Sequence, residues 1–278
     1  MRVGVVLGGG GAKGSFQVGA LKAIIEEGHE ITHVTGASVG ALNGALVAIG
    51  KFKILEDLWN SIDERNSFYP SYPLGIAQGV LLKDSLFSNE WLVKNINNNI
   101  TPEELYSDYT AHFGCTLTNL IDGKIRFANT SNPYWRSNIL KGILASASLP
   151  PAFPPVEIDG LNCVDGGLTS PIPVKEILTF PNQPEKIFII PAGSPNLELS
   201  NPDSMVELAS RSIDILFESV YSRVLSNGTK KWTEDSKFVL IQPEKNLVST
   251  LDCNPTRLKQ FMQLGYDITK EVLDKSAT

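Results

Sequence analysis

Thr35-Gly36-Ala37-Ser38-Val39-Gly40 stands between a strand-like run, residues 31–34, and a helix-like run of small residues, 41–49, closed by Gly50. A serine with glycine at both second neighbours, at a strand-to-helix junction, is the G-x-S-x-G pattern of a nucleophile elbow. Gly36 and Gly40 let the backbone turn tightly enough to present the serine hydroxyl at the positive end of the next helix. So short a motif acquires meaning only from its context. The rest of the chain must supply a base, an oxyanion hole and a substrate site.

Upstream, residues 3–7 form a continuous β-branched and apolar run, which predicts a strand buried on both faces as in a parallel sheet. It enters Gly8-Gly9-Gly10-Gly11-Ala12-Lys13-Gly14 and then a helical pattern over residues 15–27, with Gly28 at the C′ position. A phosphate-cradling P-loop needs Gly-Lys-Ser/Thr, and Lys13 has Ala12 before it and Gly14 after it. A dinucleotide fingerprint expects an acid at the end of the next strand, where the chain has Thr35-Gly36-Ala37-Ser38. An oxyanion hole of glycine amides remains, beside a plain turn that packs closely.

Downstream, residues 51–66 read as an amphipathic helix, 89–98 as a helix, and 101–104 as a capped helix start. Residues 112–120 and 124–128 read as strands joined by a hairpin turn. A helix within 134–148 ends at Leu149-Pro150-Pro151, which no helix can enter. Short strands at 156–158 and 161–164 lead into Asp165-Gly166-Gly167. Then come a strand at 186–190, a helix at 203–226, a strand at 238–242 and a helix at 255–275. In the first of these helices Met205, Leu208, Ala209, Leu216, Phe217, Val220 and Val224 are expected to line the buried side. This alternation predicts an α/β fold.

No repeat or linker divides the chain, so residues 1–278 are expected to form one domain, with 68–140 an insertion carrying a lid or substrate channel. Residues 68–87 are apolar without a clean period and read either as a lid or membrane-touching surface, or as loop and short helix on the core. A net charge of −6 argues against a nucleic-acid partner, which requires a basic surface. The apolar part of the first seven residues is too short for a signal peptide, and no run approaches the ~20 apolar residues of a span. The expectation is a cytoplasmic protein, at most peripheral to a membrane. Three cysteines without C-x-x-C spacing fit reduced thiols, and nothing in the sequence calls for a metal or organic cofactor.

A serine hydroxyl needs a neighbour to take its proton, and histidine is the usual one. The chain has three histidines, at 29, 33 and 112, none placed after the acid as a hydrolase triad would need. A carboxylate acting directly is the alternative. Asp165 ends a short apolar strand before two glycines, although an Asp-Gly turn reads equally well from that residue alone. An ordinary Asp, with a pKa near ~3.9, accepts a serine proton poorly. A Ser-Asp dyad therefore requires a desolvated carboxylate in close contact with the hydroxyl.

Taken in order, Gly9-Gly10-Gly11-Ala12-Lys13-Gly14, Gly36-Ala37-Ser38-Val39-Gly40, Ala145-Ser146-Ala147-Ser148-Leu149-Pro150 and Asp165-Gly166-Gly167 resemble the motif blocks of the patatin-like phospholipases. The resemblance is clearest over residues 3–172. It implies a three-layer α/β/α sandwich with a mostly parallel central sheet, and hydrolysis of lipid acyl esters that a membrane or micelle presents, without a cofactor. Ser38 is then the nucleophile, Asp165 the base, and the amides of Gly9, Gly10 and Gly11, with Val39 N–H, the oxyanion hole. Lys13, Gly36, Gly40, Gly166 and Gly167 support them. Gly8 departs from the pattern, since many members carry Ser or Asp there. The rival expectation is a lipid- or nucleotide-binding module in which Ser38 is inert.

Overall fold

The structure, a computed structural model, describes residues 1–63, 85–107, 110–194, 201–203, 205–233 and 236–277. The elements run β1 (Arg2–Leu7), α1 (Gly14–Glu26), β2 (Glu30–Ala37), α2 (Val39–Ala48), α3 (Phe52–Asn60), α4 (Glu90–Asn99) and α5 (Pro102–Leu105). Then follow β3 (His112–Asn119), β4 (Ile125–Asn129), α6 (Ile139–Ser146), β5 (Val156–Ile158), β6 (Leu161–Asp165) and α7 (Val174–Ile177). The last are β7 (Lys186–Ile190), α8 (Met205–Thr233), β8 (Phe238–Leu240) and α9 (Pro255–Ala277).

All eight strands join one sheet in the order β5-β6-β3-β2-β1-β7-β8, with β4 also on β3. From β3 to β8 every pairing on that path is parallel, while β4, β5 and β6 are antiparallel. Successive side chains of a strand point to opposite faces. Val5 and Leu7 of β1 pack with Phe16 of α1 and Phe261 of α9, whereas Val6 packs with Ile177 of α7 and with Phe217 and Tyr221 of α8. Helices thus cover both faces, giving the mixed α/β sandwich expected.

The register around β3 places the candidate site. β4 occupies one edge of β3 from Gly114↔Asn129 to Thr118↔Ile125. On the opposite edge β2 pairs as far as Ala37↔Thr116, and β6 takes over at Leu117↔Asp165. Residue 38 follows the end of β2 where β6 ends at residue 165, so both chain segments leave the sheet side by side against β3.

The interval 68–140 contains β3 and β4, which are strands of the main sheet; residues 68–84 of it lie outside those described. One expectation is corrected. In α8, Leu208 is 50% and Leu216 44% exposed, while Ser210, Asp214, Phe217, Glu218 and Tyr221 are buried. Those five fall at helical spacing, but as a largely polar stripe that a search for apolar periodicity passes over.

Candidate active site

Ser38 has φ 53° and ψ −127°, a conformation rare for a residue with a side chain and typical of strained functional turns. The flanking glycines allow it by close approach: a Cβ on Gly36 would overlap the Gly40 carbonyl, and one on Gly40 the Leu7 carbonyl. The Ser38 carbonyl accepts from Ala41 N–H at 2.9 Å, and Ser38 N–H donates to Ser146 Oγ at 3.1 Å. Val39 N–H, in the first turn of α2, is left without an acceptor among the described residues.

Asp165 is fully buried. Its Oδ1 accepts Gly167 N–H at 2.6 Å, and its Oδ2 makes no aligned hydrogen bond. Burial pushes its pKa up to about 7, with the adjacent Ser38 hydroxyl and Gly167 N–H pulling the other way. The hydroxyl is thus a close neighbour of the carboxyl without completing a hydrogen bond to Oδ2. A carboxylate of that basicity can take up a hydroxyl proton near neutral pH. The block Ala145 to Pro150 ties both partners together: Ser146 Oγ holds the Ser38 amide, and Ser148 C=O accepts Asp165 N–H at 3.0 Å. Ser146 was legible only as part of a block, because its partner lies 108 positions away in the chain.

The glycine turn lies beside them. A Cβ on Gly9 would stand 3.1 Å from Ser38 Cβ. One expectation changes here: Gly9 N–H donates to Pro171 C=O at 3.0 Å, so it does not face the site. Ala12 N–H donates to Thr250 C=O at 2.9 Å and Lys13 N–H to Gly10 C=O at 3.2 Å. Gly10 and Gly11 are the residues of the turn whose amides have no acceptor among those described. Gly166 and Gly167 keep space clear on the other side, since a Cβ on Gly167 would meet the Phe217 ring and, at 2.9 Å, Asp165 Oδ1.

Lys13 is buried and paired with Asp214 of α8, Nζ to Oδ1 at 2.7 Å. One turn on, Glu218 is buried with neither carboxyl oxygen hydrogen-bonded. Burial pushes its pKa up to about 7, against the pull of the Lys13 ammonium. These α8 residues escaped the sequence reading.

The histidines stand elsewhere. His33 is fully buried on β2, with Nε2 2.8 Å from Pro181 O and Nδ1 2.9 Å from Thr32 Oγ1; five strand residues put it about 16 Å from Ser38. His112 stacks on Phe180. Burial lowers the pKa of all three histidines.

A cleft of about 460 Å³, partly open to solvent, is lined by Ser38, Gly11 and Val39 together with the apolar Leu42, Leu92 and Phe153. A second apolar cavity shares Val39, Leu42 and Leu92 and continues to Leu55, Trp59 and Ile96. Among the described residues no helix is long and apolar enough to cross a membrane, and no group of three His, Cys, Asp or Glu side chains is arranged to hold a metal.

Residues 5–178 match the family model described as patatin-like phospholipase. An uncharacterised NTE-family protein of Mycobacterium bovis is 30% identical over 176 residues, covering 63% of this chain and 45% of that protein. A protein named lysophospholipase nte1 of Aspergillus terreus is 26% identical over 310 aligned positions, covering 98% of this chain and 18% of its own length. The chain therefore spans less than half of these relatives. Among solved structures, VipD from Legionella pneumophila aligns with a TM-score of 0.60 at 17% identity, over 98% of this chain and 66% of that one, a likeness of fold.

Proposed function

The chain belongs to the patatin-like phospholipase family, and from that premise we propose that it hydrolyses the acyl ester of a phospholipid or lysophospholipid presented by a membrane or micelle. Ser38 Oγ attacks the carbonyl carbon while Asp165 takes the hydroxyl proton. The amides of Gly10, Gly11 and Val39 receive the oxyanion. Collapse breaks the ester C–O bond, and Asp165 returns the proton to the leaving alkoxide. Water then attacks the acyl-serine with its proton passing to Asp165, which releases the fatty acid and returns the proton to Ser38.

The observation that carries this reading is the buried Asp165 carboxyl, pushed up to about 7 beside a serine held at φ 53°. Without it a Ser-Asp pair would lack a base of useful strength. The apolar walls of Leu42, Leu92 and Phe153 suit an acyl chain, and the adjoining cavity past Leu92 gives a longer chain somewhere to extend. Relatives named lysophospholipases support the substrate class.

A fluorophosphonate should label Ser38 in the full chain, and hydrolysis of a mixed lipid panel should release free fatty acid. Asp165→Asn should abolish turnover with the fold intact. Substantial activity in that variant would remove Asp165 from the mechanism. An unlabelled Ser38 with no esterase activity would favour a binding module.

A further inference from the structure

The amides of Gly9 and Ala12, on either side of Gly10 and Gly11, are hydrogen-bonded, and α8 reaches the turn directly through Tyr221 and indirectly through Asp214. Gly9 gives its N–H to Pro171 and receives the Tyr221 hydroxyl on its carbonyl. The Tyr221 hydroxyl and the Ala192 amide nitrogen stand 2.8 and 3.3 Å from where a Cβ on Gly8 would lie, so Tyr221 sits where the turn after β1 meets the loop after β7. Two helical turns earlier, Asp214 Oδ1 holds Lys13 Nζ at 2.7 Å and accepts the Thr250 hydroxyl at 2.6 Å. Thr250 C=O in turn accepts Ala12 N–H at 2.9 Å.

The departure at Gly8 has its reason here. A Cβ at residue 8 would stand 2.8 Å from the Tyr221 hydroxyl, so any side chain there would push it off the Gly9 carbonyl. Lys13, only 4% exposed, reaches a substrate only by leaving Asp214. Removing one partner of a buried ion pair costs far more than the pair itself contributes, which makes Lys13 a fixed strut.

We propose that α8 braces the oxyanion turn: Asp214 and Tyr221 are positioning residues that act through Lys13, Thr250 and Gly9 to aim the Gly10 and Gly11 amides. The inference rests on the reading of Ser38 as nucleophile. Such amides contribute to rate only when aimed at the position the oxyanion will occupy, and losing one donor outright costs about 10²–10³-fold. Misaiming two donors by loss of a brace should cost about ten- to a hundredfold.

Tyr221→Phe deletes one oxygen, and Asp214→Asn removes one charge at nearly constant shape. For the full-length chain and both variants, kcat and KM on p-nitrophenyl butyrate, the rate of Ser38 phosphonylation and the thermal midpoint should be measured. The brace predicts that kcat and phosphonylation fall together by about ten- to a hundredfold while KM stays within about twofold. Lys13→Arg, which keeps the charge facing Asp214, should retain more activity than Lys13→Met. Wild-type kcat in both α8 variants, or loss confined to the thermal midpoint, overturns the brace. Failure of the wild-type chain to react at Ser38 instead overturns the catalytic reading.

Discussion

Helices α8 and α9 are the two long helices of the C-terminal part, and they bury opposite kinds of surface. α9 sets Leu258 and Phe261 into the core shared with α1, where Phe261 meets Phe16 at 5.4 Å between ring centroids. α8, on the other face, buries Phe217 and Tyr221 with Ser210, Asp214 and Glu218. Apolar burial stabilises the fold by about 25 cal/mol per Å², whereas buried polar groups cost free energy unless they are paired. We read α9 as a stabilising helix and α8 as one that gives up stability to hold the site.

The largest test of that contrast lies at Asp165, against which the α8 side packs. Asp165→Asn should reduce turnover by roughly 10²- to 10⁴-fold, the range for a lost general base. Its folded pKa of about 7 lies above the ordinary 3.8, so the folded state holds the proton more tightly than the unfolded chain. Stability therefore falls as pH rises from about 4 to about 7, while activity climbs through about 7 as the base ionises. The Asn variant escapes that penalty, and thermal melts at pH 8 should show it more stable than wild type by up to about 4 kcal/mol. A variant less stable at pH 8 would mean that the carboxylate is not paying a burial cost there.

Phe261→Ala should do the reverse: a loss of about 3–5 kcal/mol in denaturant unfolding, with kcat per folded molecule unchanged. A parallel fall in kcat would make α9 part of the site and erase the distinction. Next in size, Glu218→Gln removes a buried carboxyl with no hydrogen-bond partner, pushed up to about 7 by burial. It should raise the thermal midpoint at pH 8 by less than Asp165→Asn does, and the gain should vanish at pH 4, where both carboxyls are protonated. A lowered midpoint at pH 8 would show that the Glu218 carboxylate supports Lys13.

The same contrast explains what the sequence could and could not yield. α9 was legible because Leu258, Phe261, Met262, Gly265, Ile268 and Val272 recur at helical spacing, and local period is what a single chain displays. The elbow was legible because Gly36 and Gly40 flank Ser38 in the chain itself, although the Leu7 carbonyl that keeps Gly40 small belongs to a distant strand. The place of β3 in the sheet, the use of Gly9 N–H by Pro171, and the anchoring of Ser38 by Ser146 are pairings between distant parts of the chain with no local imprint. In α8 the apolar spacing put Leu208 and Leu216 on the buried side, and the buried Ser210, Asp214 and Glu218 entered no expectation. What misled was the rule that apolar side chains go inside, which holds for composition and fails where a polar group has a partner to reach.

Leu216 gives the smallest effect and the sharpest check on how α8 sits. It lies two residues after Asp214, which at 3.6 residues per turn is about 200° around the axis, so the two cannot share a buried face. With Leu216 44% exposed and Leu258 1% exposed, Leu216→Ala should change unfolding free energy by no more than about 0.5 kcal/mol. Leu258→Ala should cost about 2–5 kcal/mol. If Leu216→Ala instead cost more than about 2 kcal/mol, α8 would be turned about its axis in solution. Asp214 would then face water, Lys13 would lose its partner, and the brace on the glycine turn would fall with it.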